Sequence, residues 1–338
     1  MTSLDLPDAA VAEDLGAFLV PLRRHLHAHP ELGFEEHETA RFIARTLEGL
    51  GLDVHRVADT GAFVDIVGAH PGPLVGYRAD IDALPIQDAK TDVPYASTTP
   101  GVAHLCGHDA HTTVAIGVAK LLLERRDTLR GTVRVFFQPN EEGTPSGAPR
   151  MIEAGVLDGM DAVYGIHVDP TLETGVFGLI SGPVTASADR FDLTVRGPST
   201  GHAARPHTVV DTPYLATTLA QHLYTLAGRV TDVRRAAIFT ICRMRAGDAY
   251  NVIPREVVLG GTLRCVDNEI RRQMQEAIRR ACTHFGAMHG AEIDVRFRDG
   301  APPVVNDAEM VAHADATLRR LHGDAAVFYY ALPSMGAE

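Results

Sequence analysis

A change of pattern near Gly182 constrains this chain more than any other feature of its sequence. Before it, strand-like and helix-like runs alternate, which argues for an α/β sheet with helices on both faces. After it, the runs follow the order β-α-β-β-α-β, that of a ferredoxin-like unit. In the first part, residues 8–28 carry Val11, Leu15, Phe18, Leu19, Leu22 and Leu26 at helical spacing. The run breaks at His29-Pro30, because proline disfavours a helical residue before it. A second helix is predicted over Glu38–Leu50, closed by Gly51. Strands are predicted at Leu52–Val57, Ala62–Val67, Leu74–Arg78, Thr132–Gln138 and Ala162–Val168, with helices at Thr112–Glu124 and Ala148–Ala154. In the second part, strands at Arg190–Arg196, Ala237–Met244, Val257–Arg264 and Glu292–Phe297 surround helices at Thr212–Ala227 and Asn268–Met288. Asp211 is a candidate N-cap for the first of these helices. The expected plan is an α/β domain made of residues 1–183 and 299–338, with a ferredoxin-like α+β domain, residues 184–298, inserted into it.

At 338 residues, 45% of them hydrophobic, the chain is long enough for two domains and needs no covalent staples. Its four cysteines (Cys106, Cys242, Cys265, Cys282) lie far apart with no CxxC, so they do not read as a disulfide framework. Against 31 basic side chains stand 43 acidic ones, a net charge of −12. With no Lys/Arg cluster, there is no basic face to neutralise phosphates, which argues against nucleic acid as a partner. No apolar run approaches ~18 residues, so no membrane span is expected. The acidic N-terminal stretch lacks the basic start and apolar run of a secretion signal, which points to the cytoplasm.

The chemistry concentrates between positions 76 and 170. His104-Leu-Cys-Gly-His-Asp-Ala-His111 packs three His, a Cys and an Asp together. Cys106 and His108 are alternate positions, which point the same way in an extended segment, and both residue types bind transition metals. The competing reading is a polar loop in a His-rich chain. Glu141 and Glu142 follow an apolar strand; one can ligate a metal while the other serves as general base, or the pair is simply a solvated turn. His167 lies at the end of the next strand, where α/β sheets bind ligands. Asp80 and Asp82 follow an earlier strand and could support metal-bound histidines or merely shape a turn.

With those residues in view, the chain resembles the M20 family of metallopeptidases, in the amidohydrolase branch of aminoacylases, hippurate hydrolases and auxin-conjugate hydrolases. The matching segments are RRHLHAHPELGFEEHET (23–39), RADIDALP (78–85), HLCGHDAHT (104–112), FQPNEEG (137–143), GIHV (165–168), GHAARPH (201–207), NVIP (251–254) and GTLR (261–264). The resemblance implies a catalytic α/β domain with a mixed sheet flanked by helices, and an inserted lid or dimerisation domain. It implies a site for two divalent metal ions, Mn²⁺ or Zn²⁺, with Co²⁺ or Ni²⁺ as alternatives. Cys106 (as a bridging thiolate), His108, Glu142 and His167 would be ligands, and Glu141 the general acid/base. His202 would stabilise an oxyanion, Asn251 would bind substrate, and Arg264 would hold its carboxylate. Asp80, Asp82 and His111 would support the ligands. The implied reaction is hydrolysis of an N-acyl amino acid by a cytoplasmic homodimer. A dipeptidase or carboxypeptidase of the same family, or a non-catalytic binding form, is the alternative.

Three segments depart from the family pattern. Gly197-Pro-Ser-Thr-Gly201 replaces a glycine-rich lead, and Ser146-Gly-Ala148 replaces Gly-Gly-Ala. At Met335-Gly-Ala-Glu338 the family continues with Ser-Glu-Asp-Phe and a further segment carrying a last His ligand. Without that segment the resemblance implies weaker metal binding and reduced activity.

Overall fold

A computed structural model describes residues 9–90, 92–232, 234–298 and 300–334, with side chains from residue 14 onward. The departure at 335–338 lies outside the described residues. The chain divides into two compact units, Met1–Val176 and Phe177–Glu338.

The first unit runs α1 (Ala9–Ala28), α2 (His37–Gly49), β1 (His55–Val57), β2 (Gly61–Val67), β3 (His70–Asp80), α3 (His108–Glu124), β4 (Arg130–Gln138), α4 (Ala148–Glu153) and β5 (Ala162–Gly165). Its sheet has the order β1-β2-β4-β3-β5. The β1–β2 and β2–β4 pairings are antiparallel, and the β4–β3 and β3–β5 pairings parallel. The sheet is therefore mixed, as the resemblance implied. Side chains alternate across it. Val135 and Phe137 of β4 pack with Val64, Ile66, Ile43, Leu47, Ala115 and Ile116, beneath α2 and α3. Phe136, between them in sequence, packs on the other face with Met151 of α4 and Val156. The parallel strands β3, β4 and β5 bring their carboxyl ends to one edge of the sheet.

The second unit runs β6 (Phe177–Leu179), β7 (Gly182–Pro183), β8 (Asp189–Arg196), β9 (Gly201–His202), α5 (Thr212–Val230), β10 (Ala237–Ala246), β11 (Val252–Ile253), β12 (Glu256–Cys265), α6 (Asn268–His289), β13 (Glu292–Arg298), β14 (Val305–Asn306), α7 (Ala308–His322) and β15 (Val327–Tyr329). Strands β10-β12-β8-β13 form a four-stranded antiparallel sheet. Leu193 of β8 stands opposite Leu259 on one side and Val295 on the other, and all three are buried. They share one core with Leu215, Leu219 and Leu223 of α5 and with Ile270, Met274 and Ile278 of α6. Asp211 caps α5 by accepting from the Tyr214 amide, as expected, and Asp267 caps α6 at Ile270. Short pairings join β11 to β9, β14 to β7, and β15 to β6, the last one parallel.

Four boundaries correct the sequence reading. The strand expected over Leu74–Arg78 runs from His70 to Asp80, so Asp80 ends the strand rather than following it. The strand expected over Leu52–Val57 covers only His55–Val57. The strand expected to reach Val168 ends at Gly165, which leaves His167 in the following loop. The helix expected from Thr112 begins four residues earlier, at His108.

Candidate metal centre

The early start of α3 overturns the extended Cys106–His108 segment. Gly107 sits between them at φ 88°, a left-handed conformation that glycine adopts without a Cβ penalty, and turns the chain into the helix. Cys106 therefore precedes the helix, while His108 and His111 lie on its first turn. The two expected ligands still converge, but through a tight turn rather than through strand alternation.

Three groups of donor atoms meet at this edge of the sheet. Cys106, His108 and His167 form one, His108, Glu141 and Glu142 a second, and Asp80, His108 and His111 a third; within each, one donor atom per residue lies within 4.8 Å of the others. His108 belongs to all three. Its Nδ1 donates to the backbone carbonyl of Asp82 at 2.9 Å, which aims Nε2 at the cluster. That Nε2 is buried with no hydrogen-bond partner among the described residues, and a Glu141 carboxylate oxygen stands 3.9 Å away. A buried imidazole nitrogen left without a partner is costly unless something accepts its lone pair. His167 also anchors its ring through Nδ1, but it is exposed and its Nε2 is partnered. Its Nδ1 donates to the Val168 carbonyl at 2.8 Å, and Nε2 lies 3.4 Å from the Cys106 sulfur.

His111 differs, because both ring nitrogens are engaged. Nε2 accepts from the Val168 amide at 3.0 Å, so Nδ1 carries the proton and donates to Asp80 at 2.7 Å. His111 thus props the His167 loop against β3 and has no nitrogen to spare for a metal. Asp82 accepts from the Glu142 amide at 3.0 Å and faces His108 Nδ1 at 3.3 Å. Both aspartates are buried, at 1% exposure.

The charge around His108 suits a cation. Burial works against its imidazolium, but Asp82, Cys106 and Asp80 outweigh that and raise its pKa to about 11. Burial likewise works to raise Asp80, but the His111 bond and the charges of His108 and Arg78 hold it well below the usual carboxylate range. A pocket that favours a proton on Nε2 this strongly also favours a metal ion there. One sulfur, two imidazole nitrogens and two carboxylates form a donor set for borderline transition ions rather than for Mg²⁺ or Ca²⁺. The residues present fit a divalent metal.

The remaining expected residues lie in the second unit. His202 on β9 stands opposite Val252, and the Ala203 amide donates to the Asn251 carbonyl at 3.0 Å, so His202 and Asn251 come together. Arg264 lies on β12 opposite Ile238 of β10. It sits eight positions beyond Glu256, at the far end of a strand that rises ~3.3 Å per residue, and so is not beside them.

Four residues of the first unit escape any spacing rule. Asp109, next to His108, receives Arg23 at 2.8 Å and His27 at 2.7 Å. Glu36, fully buried, accepts from the Asn140 amide at 2.8 Å, next to Glu141. The one sequence signal is their place in two motif-matching segments, 23–39 for Arg23, His27 and Glu36 and 104–112 for Asp109, with no role assigned to any of the four.

The pattern of peptidase family M20/M25/M40 matches residues 76–338. The chain belongs to this family. Among its M20 relatives, an N-acyl-L-amino acid amidohydrolase of Geobacillus stearothermophilus is 39% identical over 297 residues, covering 88% of this chain and 80% of the relative. An N-acetyl-L-cysteine deacetylase of Bacillus subtilis is 42% identical over 290 residues, covering 86% of this chain and 69% of the relative. A crystal structure from Bacillus subtilis, described as a dinuclear metal binding peptidase from the M20 family, superposes with a TM-score of 0.84 at 36% identity. It covers 96% of this chain and 85% of that one.

Proposed function

We propose that this M20 chain is a metal-dependent amidohydrolase that splits the amide bond of N-acyl amino acids. The observation that carries the reading is the buried Nε2 of His108, which has no hydrogen-bond partner among the described residues and lies among Cys106, His167 and the Glu141–Glu142 pair. The relatives named for N-acyl amino acids supply the substrate class. Cys106, His108, Glu142 and His167 would hold two divalent ions, which our reading takes as Mn²⁺ or Zn²⁺. When bound, such ions supply Lewis acidity toward the amide carbonyl and bring the pKa of water toward neutrality. Glu141, 9% exposed at its side chain, takes the proton of the attacking water on a carboxylate oxygen. It returns that proton to the amine nitrogen as the C–N bond breaks, leaving a carboxylic acid and a free amino acid. For His202, Asn251 and Arg264 the support is the motif resemblance; our reading gives them oxyanion stabilisation, substrate binding and a bidentate grip on the substrate carboxylate.

The experiment is turnover of N-acetyl amino acids and dipeptides side by side, for the wild type and Glu141→Gln. The variant is expected to lose turnover by ~10²–10⁴-fold while keeping its metal content. Unchanged turnover would remove Glu141 from the reaction, and a preference for dipeptides would replace the amidohydrolase reading by a peptidase.

Residues 184–298 are read as a ferredoxin-like insert. Support comes from the strand order β10-β12-β8-β13 and from the β14–β7 pairing, which sets Val305 beside Pro183 across the two ends of the insert. We place a homodimer contact on this insert. Edge strand β10 exposes Ile238, and helix α5 beside it exposes Tyr214 and Tyr224. A single-chain mass by light scattering would overturn that. A cytoplasmic location fits the four free cysteines. Among the described residues, no helix is long and apolar enough to cross a membrane.

A further inference from the structure

The segment 23–39 contributes no metal donor, yet it touches the neighbours of both chemical groups. On α1, Arg23 and His27 are one helical turn apart, so they share a face. Both bind the same carboxylate oxygen of Asp109, the residue after His108 on α3. Past the end of α1, the chain reaches Glu36 at the start of α2. Glu36 occupies the N-cap position but makes no capping bond with its side chain. Glu31 does the capping instead, accepting from the Glu38 and Thr39 amides at 3.1 and 2.8 Å. The Glu36 carboxylate is thereby released for two distant donors, the Thr60 hydroxyl at 2.6 Å and the Asn140 amide at 2.8 Å.

Asn140 needs such a hold. It is a non-glycine residue at φ 46°, in the left-handed region, directly before Glu141. Its side chain donates to the Pro145 carbonyl at 2.8 Å and lies against Gly33, where a Cβ would come within 1.9 Å of its oxygen. The conformation that aims Glu141 is thus set by groups of segment 23–39 lying more than a hundred residues away.

We infer that segment 23–39 is a two-armed clamp: Glu36 positions Glu141 through Asn140, while Arg23 and His27 position His108 through Asp109. The arms act on different steps, one on proton transfer and the other on metal binding. The turnover readout rests on the amidohydrolase reading; the two others do not.

The test compares Glu36→Ala, His27→Gln and the control Thr60→Val. Each is read by kcat and KM on an N-acetyl amino acid, by Co²⁺ titration followed in visible absorption, and by amide hydrogen exchange at residues 139–142. Glu36→Ala removes the acceptor of the Asn140 amide, so this variant should lose kcat by ~10²-fold, as for ~1 Å of misplacement, with KM and Co²⁺ spectrum kept. Its Asn140 amide should exchange faster. His27→Gln should weaken Co²⁺ binding by ~10–100-fold and shift its absorption, with exchange at Asn140 unchanged. Thr60→Val removes the other partner of Glu36 and should keep kcat. Should Glu36→Ala not fold, Glu36→Asp shortens the arm while keeping a carboxylate. Equal effects of both arms on all readouts, or unaltered exchange at Asn140 in the Glu36 variant, would overturn the clamp. A wild type that turns over no N-acyl amino acid would sink the amidohydrolase reading, with exchange and Co²⁺ binding still deciding the clamp.

Discussion

His104 is the starkest buried group near the metal centre. It is 4% exposed, and neither ring nitrogen has a hydrogen-bond partner among the described residues. Burial pushes its pKa from 6.5 down to about 4, against the pull of Asp109. Between those values the unfolded chain binds a proton that the folded one refuses. The stability present above pH 6.5 is therefore lost as pH falls toward 4, by about 3 kcal/mol at the lower end. His104→Phe removes that proton uptake. In metal-free protein, the melting temperature of the variant should fall less between pH 7 and pH 5 than that of the wild type; parallel slopes would show that His104 does not titrate in this way. Residue types with their own chemistry, such as Cys106, His108 and the Glu pair, are conspicuous in the sequence. His104 is conspicuous too, and what separates it from a ligand is its place outside the three donor groups, which only the folded chain decides.

At the scale of elements, periodicity located most helices and strands because each has one apolar face with a regular repeat. It failed at their ends, where a single dihedral decides. The His104–His111 segment shows why: its residue types suggested an extended run, but Gly107 at φ 88° starts α3 instead. A Cβ at Gly107 would adopt an unfavourable left-handed conformation and lie 2.2 Å from the Val168 side chain. Val168 supplies the amide that fixes His111 and the carbonyl that fixes His167. Gly107→Ala should therefore cost ~1–2 kcal/mol from the backbone alone, read by urea unfolding of metal-free protein. It should also weaken Co²⁺ binding, because the helix start and the His167 loop must move apart. Lost stability with unaltered Co²⁺ affinity would separate the turn from the site. The Glu36–Asn140 bond, spanning 104 positions, lies beyond any local pattern, since no repeat or cap joins residues so distant.

Over the whole molecule, the sequence pattern changes near Gly182, and the chain forms two compact units that meet after Val176. What the pattern could not convey is how unevenly the chemistry is shared between them. Cys106, His108, Glu141, Glu142 and His167 all belong to the first unit. The second unit closes its own core around Leu193, Leu219, Leu259 and Ile278 without any of these residues. A ligand stabilises only the fold that binds it, by about 2.7 kcal/mol at a hundredfold excess over Kd. Chelation of the metal-loaded protein should therefore act locally. Amide exchange should accelerate in β3, β4 and the first turns of α3, whose ends carry the donors and their supports, and stay unchanged in β8, β12 and α6. Equal acceleration in both units would mean that the metal stabilises the chain as one cooperative body, against the separation of cores seen here. No acceleration anywhere would mean that the donor cluster does not hold the ion.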